Sequence, residues 1–182
     1  MEAIKKIPHS RRWLLIAAVL VVEVYVLCHL RIPLTRSLES LVFWWTPDTE
    51  HHRVISTGDY VTFDQKVPMV IGKVASIREF ITSLFGHQTS EPANTIGLLK
   101  RVGCSPGENL SVDANGYYYC DGRYLAVAKR EVAGKPITPF CFNGRIPAGM
   151  IFVIGDDARS YDSRVYGFIS RDRITGVAWA IL

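Results

Sequence analysis

Residues 96–122 read IGLLKRVGCSPGENLSVDANGYYYCDG, and this stretch decides the fold class. An apolar run from Ile96 to Val102 is followed by Pro106-Gly107, Asn115-Gly116, the aromatic triplet Tyr117-Tyr118-Tyr119 and Asp121-Gly122. Asn-Gly and Asp-Gly supply the positive φ angles of tight hairpins, and Pro-Gly punctuates a turn. Runs this short between such signals read as strands, since helices need ten or more residues of their own periodicity. The pattern continues on both sides. Gly58-Asp59, Asn143-Gly144 and Gly155-Asp156 flank Tyr60–Phe63, Ile151–Ile154 and Ile174–Ile181. The chain beyond residue 30 is therefore expected to be mainly β. One stretch differs: Val74, Ile77, Ile81 and Leu84, with Phe80 and Phe85 beside them, carry helical spacing and predict a short inserted amphipathic helix. That helix either packs on the β core or lays its aromatic face on a membrane surface.

The N-terminus has another character. The 182 residues carry 21 Lys+Arg against 17 Asp+Glu, a net charge of +4. Lys5, Lys6, Arg11 and Arg12 against Glu2 put +3 of that on residues 1–12, which leaves the rest almost neutral. A nucleic-acid binder needs a basic face on its folded part, so that class is excluded. Trp13 to Leu30, WLLIAAVLVVEVYVLCHL, contains one charge, Glu23. At 1.5 Å per residue this run of about 18 residues spans roughly 27 Å, close to the hydrocarbon thickness of a bilayer. A cleavable leader has a shorter apolar core and a small-residue cut site, and here Cys28-His29-Leu30-Arg31 follows. The organisation expected is a cytoplasmic basic arm (1–12), a transmembrane signal anchor (13–30) and a folded external domain (31–182). Basic residues ahead of the span put the N-terminus in the cytoplasm. In a bacterium that is an inner-membrane protein with its domain in the periplasm.

Of the four cysteines, Cys28 lies at the end of the span, leaving Cys104, Cys120 and Cys141 in a compartment that permits disulfides. Cys104 and Cys120 enclose a short loop containing Asn-Gly and are the expected pair. There is no C-x-x-C and no His-Cys cluster at ligand spacing, and the adjacent His51-His52 would point opposite ways on a strand. Neither a metal nor another cofactor is expected.

Three segments carry the chemistry: Thr35-Arg36-Ser37, Leu98-Leu99-Lys100-Arg101-Val102-Gly103, and Gly155-Asp156 through Ser160-Tyr161-Asp162-Ser163-Arg164 to Gly167. In that order, and with Pro106-Gly107 after the second, they resemble the type I signal peptidases, membrane-anchored proteases with a Ser-Lys dyad. A serine hydroxyl needs a base to take its proton, and lysine can serve only when neutral. Its pKa of about 10.4 must fall by several units, which burial among apolar neighbours achieves. In a strand, Lys100 and Arg101 face opposite sides, so one can enter the core while the other stays solvated.

The resemblance implies a signal-peptidase-like β domain in which Ser37 is the nucleophile, Lys100 the general base and Ser160 the hydroxyl that orients the amine. Thr35 and the Ser37 N–H would form the oxyanion hole. Ser40 is the weaker candidate nucleophile, because Leu38 two residues before it cannot donate a hydrogen bond. Asp162 and Arg164, two apart on an extended segment, would form a structural ion pair, whereas Asp156 and Gly58-Asp59 read as plain turns. Two features depart from the family pattern: Glu39-Ser40-Leu41 follows the nucleophile where proline is usual, and Gly155-Asp156-Asp157 replaces Gly-Asp-Asn. Thr-x-Ser and the short external domain look closer to the TraF-type peptidases of conjugative plasmids. That resemblance implies a pilin precursor as substrate, possible cyclisation of the product, and conjugation-apparatus partners. The alternatives are a general leader peptidase for exported proteins and a non-catalytic scaffold of a secretion channel.

Overall fold

The computed structural model describes residues 9–33, 37–48, 50, 53–66, 95–132 and 134–182. The helix expected over residues 74–85, His51-His52 and Thr35 lie outside them. Helix α1 spans His9–His29, and residues 12–25 of it are exposed along their whole length. Its 21 residues are long and apolar enough to cross a bilayer. The helix ends one residue before the expected boundary, because Leu30 is already paired. Strand β1 (Leu30–Arg31) lies antiparallel to β2 (Phe43–Pro47), with Leu30 opposite Trp44. The Arg31 guanidinium donates to the carbonyls of Cys28 at 2.8 Å and Leu30 at 2.9 Å, satisfying groups that a helix end leaves open. It also lies 4.2 Å over the Trp45 ring.

Beyond the anchor the chain is mainly β. Strands β3 (Tyr60–Lys66) and β4 (Thr95–Cys104) pair in continuous register from Tyr60 opposite Arg101 to Lys66 opposite Thr95. Both run past the expected ends, since the ladder continues where the apolar pattern fades. Strands β5 (Asn109–Val112), β6 (Tyr117–Cys120) and β7 (Arg123–Val127) form a meander, followed by the small pair β8 (Glu131–Val132) and β9 (Lys135–Pro136). Then come β10 (Gly144–Arg145), β11 (Met150–Ile154), a short helix α2 (Ser163–Tyr166), β12 (Ile169–Ser170) and β13 (Ile174–Ala180). The larger sheet has the order β1-β2-β13-β3-β4-β11-β12 and the smaller one β10-β5-β6-β7. Every described pairing is antiparallel.

Strand alternation sorts β4 between two environments. Leu98 and Val102 pack with Ile55, Val61, Phe63, Ile151, Val153, Ile169 and Ile174, whereas Leu99 packs with Leu38, Phe43 and Ala178. Lys100 falls between Leu98 and Val102 and shares their face. On the Leu99 side, Trp45 reaches from β2 across β13 to donate its Nε1 proton to Thr62 Oγ1 of β3 at 2.8 Å. Gly176 of β13 makes this crossing possible, since a Cβ there would lie 2.1 Å from the indole nitrogen.

A third cluster holds the smaller sheet on the larger one through Leu110, Tyr118, Ile146, Phe152 and Ile154, with Cys104 and Cys120 among them. These two cysteines form a disulfide with a Cα–Cα distance of 5.6 Å, which ties the end of β4 to the end of β6. Replacing both with serine is expected to lower the unfolding free energy by about 3 kcal/mol, the chain-entropy value for a loop of this size. Urea unfolding followed by tryptophan fluorescence measures it, and reductant should shift the unmodified protein to the same midpoint.

Candidate active site

Lys100 is 3% exposed. Val61 lies directly opposite it on β3, and its strand neighbours of the same face are Leu98 and Val102. Desolvation is the largest influence on its amine and lowers the pKa from 10.5 to about 8, aided by Arg164 and Lys129 and opposed by Asp162 and Asp156. The amine donates to Ser160 Oγ at 2.8 Å. Arg101, on the opposite face, is half-exposed and pairs with Asp156 at 2.9 Å instead of standing free in solvent.

The turn that carries Ser160 is built around Asp162 and Arg164. Both are fully buried and joined by two hydrogen bonds, Nε to Oδ1 at 2.8 Å and Nη2 to Oδ2 at 2.6 Å. The segment is not the extended one expected from the sequence. Asp162 is the N-cap of α2 and accepts from the Arg164 backbone N–H at 3.2 Å, so helix-start geometry brings the pair together. The same carboxylate accepts from Gly155 N–H at 2.9 Å, and Ser163 Oγ accepts from Val153 N–H at 2.9 Å, fastening the turn to β11. Arg164 also donates to the carbonyls of Val127 at 3.1 Å and Asp157 at 3.2 Å.

Ser37 is buried, and its carbonyl accepts from Asp156 N–H at 2.8 Å and, more weakly, from Asp157 N–H at 3.4 Å. The Asp156 carboxylate returns to the same segment, accepting from Glu39 N–H at 3.1 Å on one oxygen while Arg101 Nε donates to the other at 3.0 Å. Asp156 is thus no plain turn residue. It couples the Ser37 segment to β4 one residue from Lys100. Gly155 shows how closely these parts approach: a Cβ there would lie 2.1 Å from Ser160 Oγ and 2.7 Å from the Ser37 carbonyl oxygen. The Ser37 backbone and the Ser160 hydroxyl that receives the Lys100 amine therefore meet at one glycine. Asp59, by contrast, does serve a turn, accepting from Ser56 N–H at 2.8 Å. Cys104, Glu108 and Cys120 are close enough together to suggest a metal site, but the two sulfurs are bonded to each other.

The sequence reading missed Asp156 and Arg101 as parts of this constellation, and it missed Lys129, whose Nζ donates to the Arg159 carbonyl beside Ser160. A family model described as "Signal peptidase, peptidase S26" matches residues 10–182. The chain belongs to that family. Among solved structures, a signal peptidase I from Enterococcus faecalis is similar, with 23% identity, coverage of 69% of this chain and 97% of that one, and a TM-score of 0.37. No curated protein matches. Membership in the S26 signal peptidases makes the chain a serine protease of the signal peptidase type.

In this peptidase the buried lysine has a measurable thermodynamic signature. The folded-state pKa, about 8, lies below the ordinary lysine value of 10.5, so between these pH values the unfolded chain binds more protons and stability rises with pH. Below pH 8 the folded state carries the full penalty of a charged amine in an apolar place. Lys100→Met is expected to raise stability at pH 6–7 by about 1–3 kcal/mol, with the gain fading as pH climbs toward 10.5. Urea titrations of both proteins across this range measure the difference.

Proposed function

We propose that the protein is a membrane-anchored leader peptidase in which Ser37 is the nucleophile and Lys100 the general base. The observation that carries this reading is the desolvated Lys100 amine held by Ser160 Oγ at 2.8 Å, beside the clamped Ser37 segment. Neutral Lys100 takes the hydroxyl proton as Ser37 Oγ forms a bond to the scissile carbonyl carbon. The Ser37 N–H and the Thr35 hydroxyl, the latter assigned from the family resemblance, receive the developing oxyanion. The intermediate collapses with cleavage of the C–N bond, and the Lys100 ammonium gives its proton to the leaving amine. Water then attacks the Ser37 ester, with Lys100 again as the base, releasing the carboxylate and restoring the serine. Ser160 keeps the amine on this line, and the Asp162–Arg164 pair holds Ser160.

The placement proposed is residues 1–12 in the cytoplasm, 13–30 in the inner membrane and 31–182 in the periplasm. The basic arm supports this orientation, and the Cys104–Cys120 disulfide suits an oxidising compartment. A nucleophile about seven residues past the span suits substrates whose cleavage sites emerge at the same surface. The narrower reading, maturation of a pilin precursor for conjugation, rests on the Thr35-x-Ser37 spacing and the small external domain. Complementation separates the two: rescue of a host depleted of its own leader peptidase supports the general enzyme, and failure with processing of one pilin supports the specialised one.

In vesicles carrying the full chain and an exported precursor, Ser37→Ala and Lys100→Met should each reduce processing by about a thousandfold or more. Ser160→Ala should cost less. For the unmodified enzyme, kcat/KM should rise with pH and level off above about 8, where Lys100 is neutral. Substantial processing by either dyad variant rules the mechanism out.

A further inference from the structure

Lys129 lies just past β7, on the smaller sheet, and is half-buried. Its Nζ donates to the carbonyl of Arg159, the residue immediately before Ser160. Two residues earlier, the Val127 carbonyl accepts from Arg164 at 3.1 Å. The strand end therefore grips the Ser160 turn at two points, one on each side of the hydroxyl that holds the Lys100 amine. Asp162 is paired with Arg164 through both of its oxygens and acts on Lys129 through space, without a direct contact. Among the described residues no carboxylate comes within ion-pair distance of Lys129.

We propose that Lys129 is a positioning residue for the Lys100 base, fixing the Ser160 turn through the Arg159 carbonyl and placing a second cation beside that turn. This rests on the Ser-Lys reading and adds to it a residue outside the three motifs. The charged groups that act on Lys100 are Asp162, Arg164, Lys129 and Asp156, and those that act on Lys129 are Asp162, Arg164, Asp157 and Arg159. In each set the carboxylates and the cations pull in opposite directions, and the ammonium of Lys129 acts on Lys100 in the same direction as Arg164. Burial is the largest cause of the depression at Lys100, and Lys129 adds to it. A half-exposed cation acts through partly screened field lines, so its effect should weaken in salt.

The test compares Lys129→Met and Lys129→Arg with the unmodified full-length protein in detergent, in two measurements. The first is the pH dependence of kcat/KM on a quenched fluorogenic peptide with alanine on the acyl side of the scissile bond. The second is competitive labelling of Lys100 by acetic anhydride read by mass spectrometry, which titrates the amine without requiring activity. Lys129→Met is expected to move the acid limb and the labelling pKa of Lys100 up by about 0.5–1 unit. Activity at pH 7 should then fall roughly three- to tenfold, while the high-pH plateau stays within about threefold. Lys129→Arg should keep both pKa values, and the shift should shrink in high salt. A rate lowered equally at all pH values with no movement of the Lys100 titration would reduce Lys129 to a structural tie and overturn the proposal, as would no change at all. An active Lys100→Met enzyme would instead sink the dyad itself. The labelling result stands whether or not this peptide is cleaved.

Discussion

A charged amine cannot be placed between Leu98 and Val102 without losing its hydration, and a neutral hydroxyl such as that of Ser160 is poor compensation. That conflict organises the centre of the molecule. A strand alternates its side chains, so β4 can present Lys100 to an apolar cluster while Arg101 reaches a carboxylate on the other side. The seven-residue register with β3 keeps β4 from slipping by one position, which would exchange the two cations. Neutral lysine is the form such a place favours, and a neutral lysine is what a serine hydroxyl needs beside it. The same desolvation that weakens the fold thus supplies the chemistry.

Placing three segments that are distant in sequence around this amine requires fixed backbone. Asp162 and Arg164 make a fully buried pair whose guanidinium also donates to two backbone carbonyls, which offsets part of the cost of burying the charges. The pair caps α2, anchors Gly155 and sets the turn from which Ser160 reaches Lys100. Asp156 then draws in the Ser37 segment by its backbone and its side chain together. Gly155 has to be glycine because the Ser160 side chain and the Ser37 carbonyl meet where its Cβ would stand. The disulfide and the third apolar cluster bring the smaller sheet, and with it Lys129, against the same turn.

Much of this was legible in the sequence. Turn dipeptides between short apolar runs announce the β class, the basic arm before an apolar run announces the anchor, and a Lys-Arg pair inside an apolar strand announces one buried cation. Other parts were not. Gly155-Asp156 looks like any turn, and the partners that give Asp156 its role lie 55 and 117 positions away. Asp162 and Arg164 show a two-residue spacing that suits an extended segment, and only the N-cap geometry reveals the helix start. β1 is two residues long, too short to carry a periodicity, and its pairing depends on where the membrane helix stops. Lys129 carries no local pattern at all, since its meaning comes from a carbonyl 30 positions away.

The account stands on the ionisation of one amine, and that can be observed directly. In full-length protein with 15N- and 13C-labelled lysine in detergent micelles, the Lys100 side-chain resonances, assigned by loss in Lys100→Met, can be followed by NMR from pH 6 to 11. Titration near pH 8 is the expected result. A Lys100 amine that stays protonated to pH 10 or above would contradict the account, because the proposed base would then be charged wherever the enzyme works.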